Sequence, residues 1–101
     1  MRAMLRAIAN PTRRRILHLV WQEEMPARTI AGHFDVSWPA VSQNLKVLKD
    51  AGLLVERRHG VQRFYRANQE ASQPIEALLR AMWEEDLLAL KNLIESDHDK
   101  S

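Results

Sequence analysis

The sequence predicts a mainly α-helical domain that carries one β-hairpin and ends in a long helix. Three observations lead to this fold class. A chain of 101 residues suits one compact domain, here residues 1–101. Proline and small polar residues punctuate the chain up to Gly52 at the spacing of short helices. After Gly52 the pattern changes to two short β-prone runs before helical periodicity returns.

The first two helices are predicted from their boundaries. Residues 1–8 form the first, and the second opens at Asn10 as N-cap with Pro11 in its first turn. It runs to about Gln22. Its apolar face is expected to comprise Ile16, Leu17 and Val20.

Two further helices are predicted over residues 27–34 and 38–51, joined by about three residues. Pro26 opens the shorter one, Ser37 caps the longer one, and Gly52 ends it in the left-handed conformation. Their spacing is that of a helix-turn-helix, which spans residues 27–51. In the second helix three residues recur on one face and must be buried: Val41, Leu45 and Leu48.

The opposite face of that helix carries groups suited to contact with DNA: Pro39, Ser42, Gln43, Lys46 and Asp50. An α-helix fits the major groove, where Gln and Ser side chains can bond base edges. Gln43 and Ser42 are therefore the predicted base contacts, and Lys46 and Lys49 the phosphate contacts. Trp38 projects from the first turn beside this face, where an apolar group can meet a thymine methyl. The alternative is a solvated amphipathic helix.

A hairpin is predicted over residues 54–66, with strands 54–58 and 61–66 joined through His59 and Gly60. Arginines surround its tip: Arg57, Arg58 and Arg63. A basic hairpin beside a recognition helix is a wing, whose arginines can enter the minor groove or pair with phosphates. The alternative is a small solvated hairpin whose charges protect an edge strand.

A last helix is predicted from about Ile75 to Glu95, begun by residues 72–74, with residues 96–101 fraying. Its apolar stripe is wider than a small domain needs, and the first helix is too short to be stable alone. Segments 1–9 and 72–95 are therefore expected to form a homodimer interface. The predicted interface residues are Met4, Leu5, Ile8, Leu79, Met82, Trp83, Leu87 and Leu90. The alternative is a purely intramolecular core.

Charge is distributed unevenly along the chain. Residues 1–66 hold 12 Lys and Arg against five acids, a net +7, whereas the remainder carries −5. A basic body suits a polyanion partner. The absence of cysteine excludes disulfides, thiolate metal sites and a nucleophilic thiol. No secretory signal or membrane-spanning run is visible, so a cytoplasmic protein with no membrane partner is expected.

Catalytic chemistry is not indicated. The four histidines are scattered singly, and there is no glycine-rich phosphate loop. The acidic run at residues 84–86 is best interpreted as a solvated helix face rather than a pair of catalytic carboxylates. The sequence therefore predicts no enzyme, no catalytic residue and no cofactor.

Three stretches resemble the ArsR-type winged-helix regulators: residues 9–17, 41–54 and 63–66. The resemblance spans residues 1–66, and its middle stretch is specific. It implies a winged helix-turn-helix that acts as a dimeric repressor of its own or neighbouring genes, with double-stranded DNA as partner. Together with the patterns above, it gives the candidate DNA-binding residues Ser37, Trp38, Pro39, Ser42, Gln43, Lys46, Arg57, Arg58 and Arg63.

The chain departs from that family's pattern at the metal-sensing positions. Residues 27–34 contain no cysteine, and the C-terminal end offers only Asp97, His98 and Asp99 as ligand types. We therefore predict no metal site. A small molecule in the dimer cleft, a partner protein or the regulator's own concentration stay open as signals. A protein-interaction module on the same fold, without DNA binding, is the rival function.

Overall fold

The computed structural model describes the backbone of residues 1–99 and the side chains of residues 1–96. It confirms the predicted order of four helices, a hairpin and a final helix. The elements are α1 (Arg2–Ile8), α2 (Pro11–Leu19), β1 (Met25–Pro26), α3 (Ala27–Ala31), α4 (Trp38–Asp50), β2 (Leu54–His59), β3 (Gln62–Ala67), a 3₁₀ turn (Gln73–Ile75) and α5 (Glu76–Asp99).

Both predicted N-caps form. The Asn10 side chain accepts a hydrogen bond from the backbone N–H of Arg13 at 3.1 Å, and Ser37 Oγ accepts one from Ala40 at 3.3 Å. In each helix a proline occupies the first turn, where a missing N–H costs nothing. At the other end of α4, Gly52 adopts φ +83°, so the predicted left-handed stop is also confirmed.

The first helix of the helix-turn-helix is shorter than predicted. α3 ends at Ala31 instead of Phe34, because His33 and Phe34 donate to carbonyls only three residues earlier, at 3.0 and 3.1 Å. These bonds form a tighter turn that breaks the α-helical repeat. The connection to α4 therefore covers residues 32–37.

The hairpin belongs to a three-stranded antiparallel sheet in the order β1-β3-β2. Strand β1 was not predicted from the sequence. Its Pro26 lies opposite Phe64 on the sheet edge, where a residue without an N–H is tolerated. The turn was placed one residue too early. His59 pairs with Gln62, so the turn residues are Gly60, at φ +63°, and Val61.

One hydrophobic core holds the helices against the sheet. Val41, Leu45 and Leu48 of α4 are buried, as predicted. So are the residues expected to face inward from α2, namely Ile16, Leu17 and Val20. The core also takes Ile8 from α1 and Leu79 from α5, each at most 1% exposed.

Only the start of α5 belongs to this core. Ile75 of the preceding 3₁₀ turn and Leu79 of α5 are buried, whereas every large apolar side chain from residue 87 to residue 94 is exposed. We call this exposed set the apolar segment of α5; its members are Leu87, Leu88, Leu90, Leu93 and Ile94. The helix continues to Asp99 rather than ending at the predicted Glu95. Lys100 and Ser101 lie outside the described residues.

Within residues 1–99 no helix combines the length and apolar character that a membrane crossing requires.

Candidate nucleic-acid interface

The exposed side of α4 is polar and faces away from the core. We call it the recognition face; its residues are Ser37, Trp38, Pro39, Ser42, Gln43 and Lys46, all of them exposed. The burial of Val41, Leu45 and Leu48 fixes the rotation of α4 about its own axis. Ser42 and Gln43 consequently point outward together, and Trp38 stands 54% exposed at the helix start.

Lys46 does not stand alone on this face. Its Nζ lies 2.8 Å from Asp50 Oδ2, one helical turn further along. The hydrogen bond between them lowers the pKa of Asp50 and raises the pKa of Lys46. An exposed pair of this kind is weak. The ammonium can therefore exchange the carboxylate for a DNA phosphate at small cost.

The wing places its arginines on two different sides. Arg58 of β2 lies directly opposite Arg63 of β3, and Arg57 lies opposite Phe64. Side chains of opposed residues share one face of a hairpin, and successive residues alternate between faces. Arg58 and Arg63 therefore concentrate positive charge on one side, whereas Arg57 belongs to the other.

Arg57 is engaged within the protein. Its guanidinium donates to both carboxylate oxygens of Glu24, at 3.0 and 2.7 Å, and lies 4.7 Å from the centre of the Phe64 ring. The hydrogen bond lowers the pKa of Glu24 and raises the pKa of Arg57. By contrast, Arg58 has only a long contact of 3.9 Å with Glu56, and 65% of its side chain is exposed.

A cleft of about 460 Å³ connects the recognition face to the wing. Trp38 lines it from the start of α4, and Gln62 and Arg63 line it from the wing. Arg28 of α3 also lines this cleft and was not among the predicted contacts. The signal that would have identified it is a basic residue on the first helix of a helix-turn-helix, the helix that crosses the DNA backbone.

The predicted dimer residues divide into three groups. Ile8 and Leu79 are already buried in the protomer's own core. Met4, Met82 and Trp83 are half-buried against that core. Leu5, Leu87 and Leu90 are exposed, at 39%, 66% and 55%.

Trp83 is held by contacts within the chain. Its indole N–H donates to the carbonyl oxygen of Arg14 at 2.8 Å, and its ring packs edge-on against His18 and Trp21. Beside it, a groove of about 780 Å³ between α2 and α5 includes Leu87 and Leu90 in its lining. The exposed leucines thus continue from the packed part of α5.

Metal-ligand clusters are not found among the described residues, where no three His, Asp or Glu side chains come together. The side chains of Asp97, His98 and Asp99, the one ligand set that the sequence offered, lie outside the described residues.

A short helix, a polar-faced second helix and a basic hairpin beside it define a winged helix-turn-helix domain of the DNA-binding class. The chain matches the family model described as "Helix-turn-helix domain" over residues 8–57. It is 38% identical over 73 residues to the transcriptional repressor SdpR of Bacillus subtilis, covering 72% of this chain and 81% of that protein. It is 34% identical over 93 residues to the HTH-type transcriptional regulator Rv2034 of Mycobacterium tuberculosis, covering 92% and 87%.

Solved structures agree with these matches. A possible transcriptional regulator for arsenical resistance superposes with a TM-score of 0.69 at 37% identity, covering 87% of this chain and 94% of that one. The homodimeric winged helix-turn-helix DNA-binding domain of a possible ArsR-family regulator from Mycobacterium bovis gives 0.70 at 32%, covering 82% and 77%. The chain belongs to the ArsR-type family of winged helix-turn-helix transcriptional regulators, as its sequence motifs indicated, and it is a DNA-binding regulator.

Proposed function

We propose that the protein is a homodimeric repressor that binds a pseudo-palindromic operator through the recognition face of α4 and the wing. The observation that carries the proposal is the cleft in which Trp38 of α4 and Arg63 of the wing share one surface. A helix in the major groove and a hairpin beside it can then engage one stretch of duplex together.

We assign base contacts to Ser42 and Gln43, with Ser37, Trp38 and Pro39 at the entrance of α4. Their hydroxyl, amide and apolar groups match what base edges offer in the major groove. Lys46, Arg58 and Arg63 are assigned to phosphates, and Arg28 joins them because it lines the same cleft as Arg63. Arg57 is a weaker candidate, because Glu24 already neutralises its charge.

We assign the dimer interface to α1 and α5. The apolar segment of α5 exposes five large side chains, more than a stable surface helix of a monomer usually leaves in water. A structural relative at 32% identity is described as homodimeric. Leu5 of α1 together with Leu87 and Leu90 of α5 would be covered by the second copy, and Met4, Met82 and Trp83 would support them from beneath.

Transcriptional repression is the role named for the relative from Bacillus subtilis. A dimer seated on an operator can act by excluding other proteins from that DNA, which needs no catalytic group. We accordingly propose a regulator without enzymatic activity that works in the cytoplasm, where its DNA target is accessible.

Selection of bound fragments from random duplex DNA, at one physiological salt concentration and with heparin as competitor, tests this function. We expect enriched sequences with two-fold symmetry and half-sites about 34–36 Å apart, or a multiple of that. A protein that prefers no duplex to heparin would refute the proposal and favour the interaction module. Adding Gln43→Ala to the selection, with exposed Gln22→Ala as matched control, locates base recognition on α4.

A further inference from the structure

Two consecutive arginines near the start of α2 both bind the C-terminal end of α1, and each also binds a second helix. The last carbonyls of α1 have no partner inside the helix. Arg13 donates to the carbonyl oxygens of Ala7, at 2.7 Å, and Arg6, at 3.2 Å. Arg14 donates to the carbonyl oxygen of Ile8 at 2.8 Å. Cations are favoured at this end of a helix, so both arginines hold α1 tightly.

Arg13 continues from α1 to the recognition helix. Its Nη1 donates to Asn44 Oδ1 at 3.2 Å, across 31 positions of sequence. Asn44 is half-buried and follows Gln43 directly, so it lies at the boundary between the recognition face and the core. A guanidinium is planar and rigid, and its several bonds fix the distance and the rotation between α1 and α4.

Arg14 continues from α1 to the dimer helix. Its Nε and Nη2 donate to the two carboxylate oxygens of Asp86, each at 2.8 Å, in a fork geometry that is strong and directional. Only 8% of Arg14 is exposed, and the indole of Trp83 donates to its backbone carbonyl oxygen. The position of α5 relative to α1 is therefore fixed one residue away from Arg13.

We propose that Arg13 and Arg14 are positioning residues that hold α4 in a fixed orientation relative to the helices of the dimer interface. The inference rests on the proposed function, because it concerns how two recognition helices are held apart in one dimer. Neither arginine needs to contact DNA for this role. Loosening the contacts of these arginines would leave each recognition face unchanged, but the distance between the two recognition faces in the dimer would vary.

The test compares a duplex that carries both half-sites of the selected operator with a duplex that carries one. The variants are Arg13→Gln, Asn44→Ala and the double variant. The matched control is Arg15→Gln on the same helix, since Arg15 lies over the Phe34 ring at 4.9 Å and has no bond to α1 or α4. Far-UV circular dichroism and sedimentation establish that each variant is folded and dimeric.

We expect each single variant to bind the two-half-site duplex about tenfold more weakly, the fold-change of one hydrogen bond to a charged group. Binding to the single half-site should change less than about twofold, and the double variant should lose no more than either single one. The salt dependence of binding should keep its slope. Arg15→Gln should match the wild type.

Three results would overturn the inference while the wild type still prefers its operator. The first is unchanged binding to the two-half-site duplex. The second is an equal loss of binding on the single half-site, which would make Asn44 a base contact. The third is a salt slope reduced by about one in Arg13→Gln, which would make Arg13 a phosphate contact. If Arg13→Gln fails to fold, Asn44→Ala decides. A wild-type protein without operator preference would refute the proposed function itself, and this inference with it.

Discussion

The helices α4 and α5 both expose one long side to solvent, but the two sides differ in chemistry. α4 exposes a serine, a glutamine and a lysine to solvent, whereas α5 exposes leucines and an isoleucine between residues 87 and 94. α4 buries its other side in the core along its whole length, whereas α5 contributes to that core only from its first half. A polar exposed side keeps its hydration until base edges and phosphates replace it, whereas an apolar one is stabilised only when another apolar surface covers it. The contrast supports our proposal that α4 binds DNA and that α5 packs against a second copy of the chain.

Charging the apolar segment of α5 should have the largest effect. Leu90→Glu would bury an unpaired carboxylate in the dimer, at a cost of about 3 kcal/mol or more. That energy corresponds to a rise of at least about 100-fold in the dimer dissociation constant. Analytical ultracentrifugation measures the constant. Asn92→Glu, the same charge on the opposite side of α5, is the control and should stay dimeric. A Leu90→Glu protein that sediments as wild type would contradict the interface.

Asp86→Asn tests how strongly α5 is held within its own protomer, because Asp86 forms an ion pair with the buried Arg14. We expect a loss of about 1.5–3 kcal/mol in the free energy of unfolding at neutral pH, the usual range for hydrogen bonds to a charged group. Urea titrations at one protein concentration measure it, since a dimer's stability depends on concentration. Exposed Glu84→Gln is the control.

The same pair gives a pH dependence with a defined sign. The hydrogen bond from Arg14 holds the pKa of Asp86 below its usual value of 3.8, so the native state keeps this carboxylate ionised where the unfolded chain protonates it. The stabilisation is complete above that value and is lost as the pH falls through the lowered pKa of the native state. The difference between wild type and Asp86→Asn should therefore shrink in acid. A constant difference would contradict the ion pair.

On the DNA-facing side, Gln43→Ala should cost about 1–3 kcal/mol of operator binding and relax base choice at one position of each half-site. Its oligomeric state and its binding to non-operator DNA should stay as in the wild type. Fluorescence anisotropy with operator and scrambled duplexes measures both affinities. If Gln43→Ala keeps the operator preference and binds like the control Gln22→Ala, Gln43 is not a base contact.

The smallest effects are expected in the wing, where neighbouring arginines should respond differently. Arg58→Ala should lower the salt slope of DNA binding by about one and leave stability unchanged. Arg57→Ala should lower the free energy of unfolding slightly, because it breaks an exposed ion pair and a contact with Phe64, and should change the salt slope less. Equal slopes for the two variants would remove the distinction between the two sides of the wing.

Local patterns were enough to predict most of this fold. The caps at Asn10 and Ser37 and the buried face of α4 depend on residues within a few positions of each other, so the sequence shows them directly. The outward direction of Ser42 and Gln43 followed from the same periodicity. The family resemblance added the role of a repressor that acts on its own or neighbouring genes.

What the sequence did not show depends on distant partners. The two-residue strand β1 exists only because β3 pairs with it, and the bond between Arg14 and Asp86 joins positions 72 apart. Ile8 and Leu79 were assigned to the dimer because periodicity identifies an apolar face without telling which neighbour covers it. Arg57 was grouped with Arg58 for a similar reason, since adjacency in sequence concealed their opposite sides.

The exposed leucines of α5 have a consequence for how the regulator responds to its own dose. If only the paired form occupies an operator, the amount of that form rises with the square of the number of chains while most chains are single. Occupancy would then climb steeply over a narrow range of expression level and fall equally steeply when synthesis stops or cells divide. The apolar segment of α5, which is unfavourable in water, would thereby give the gene circuit a threshold.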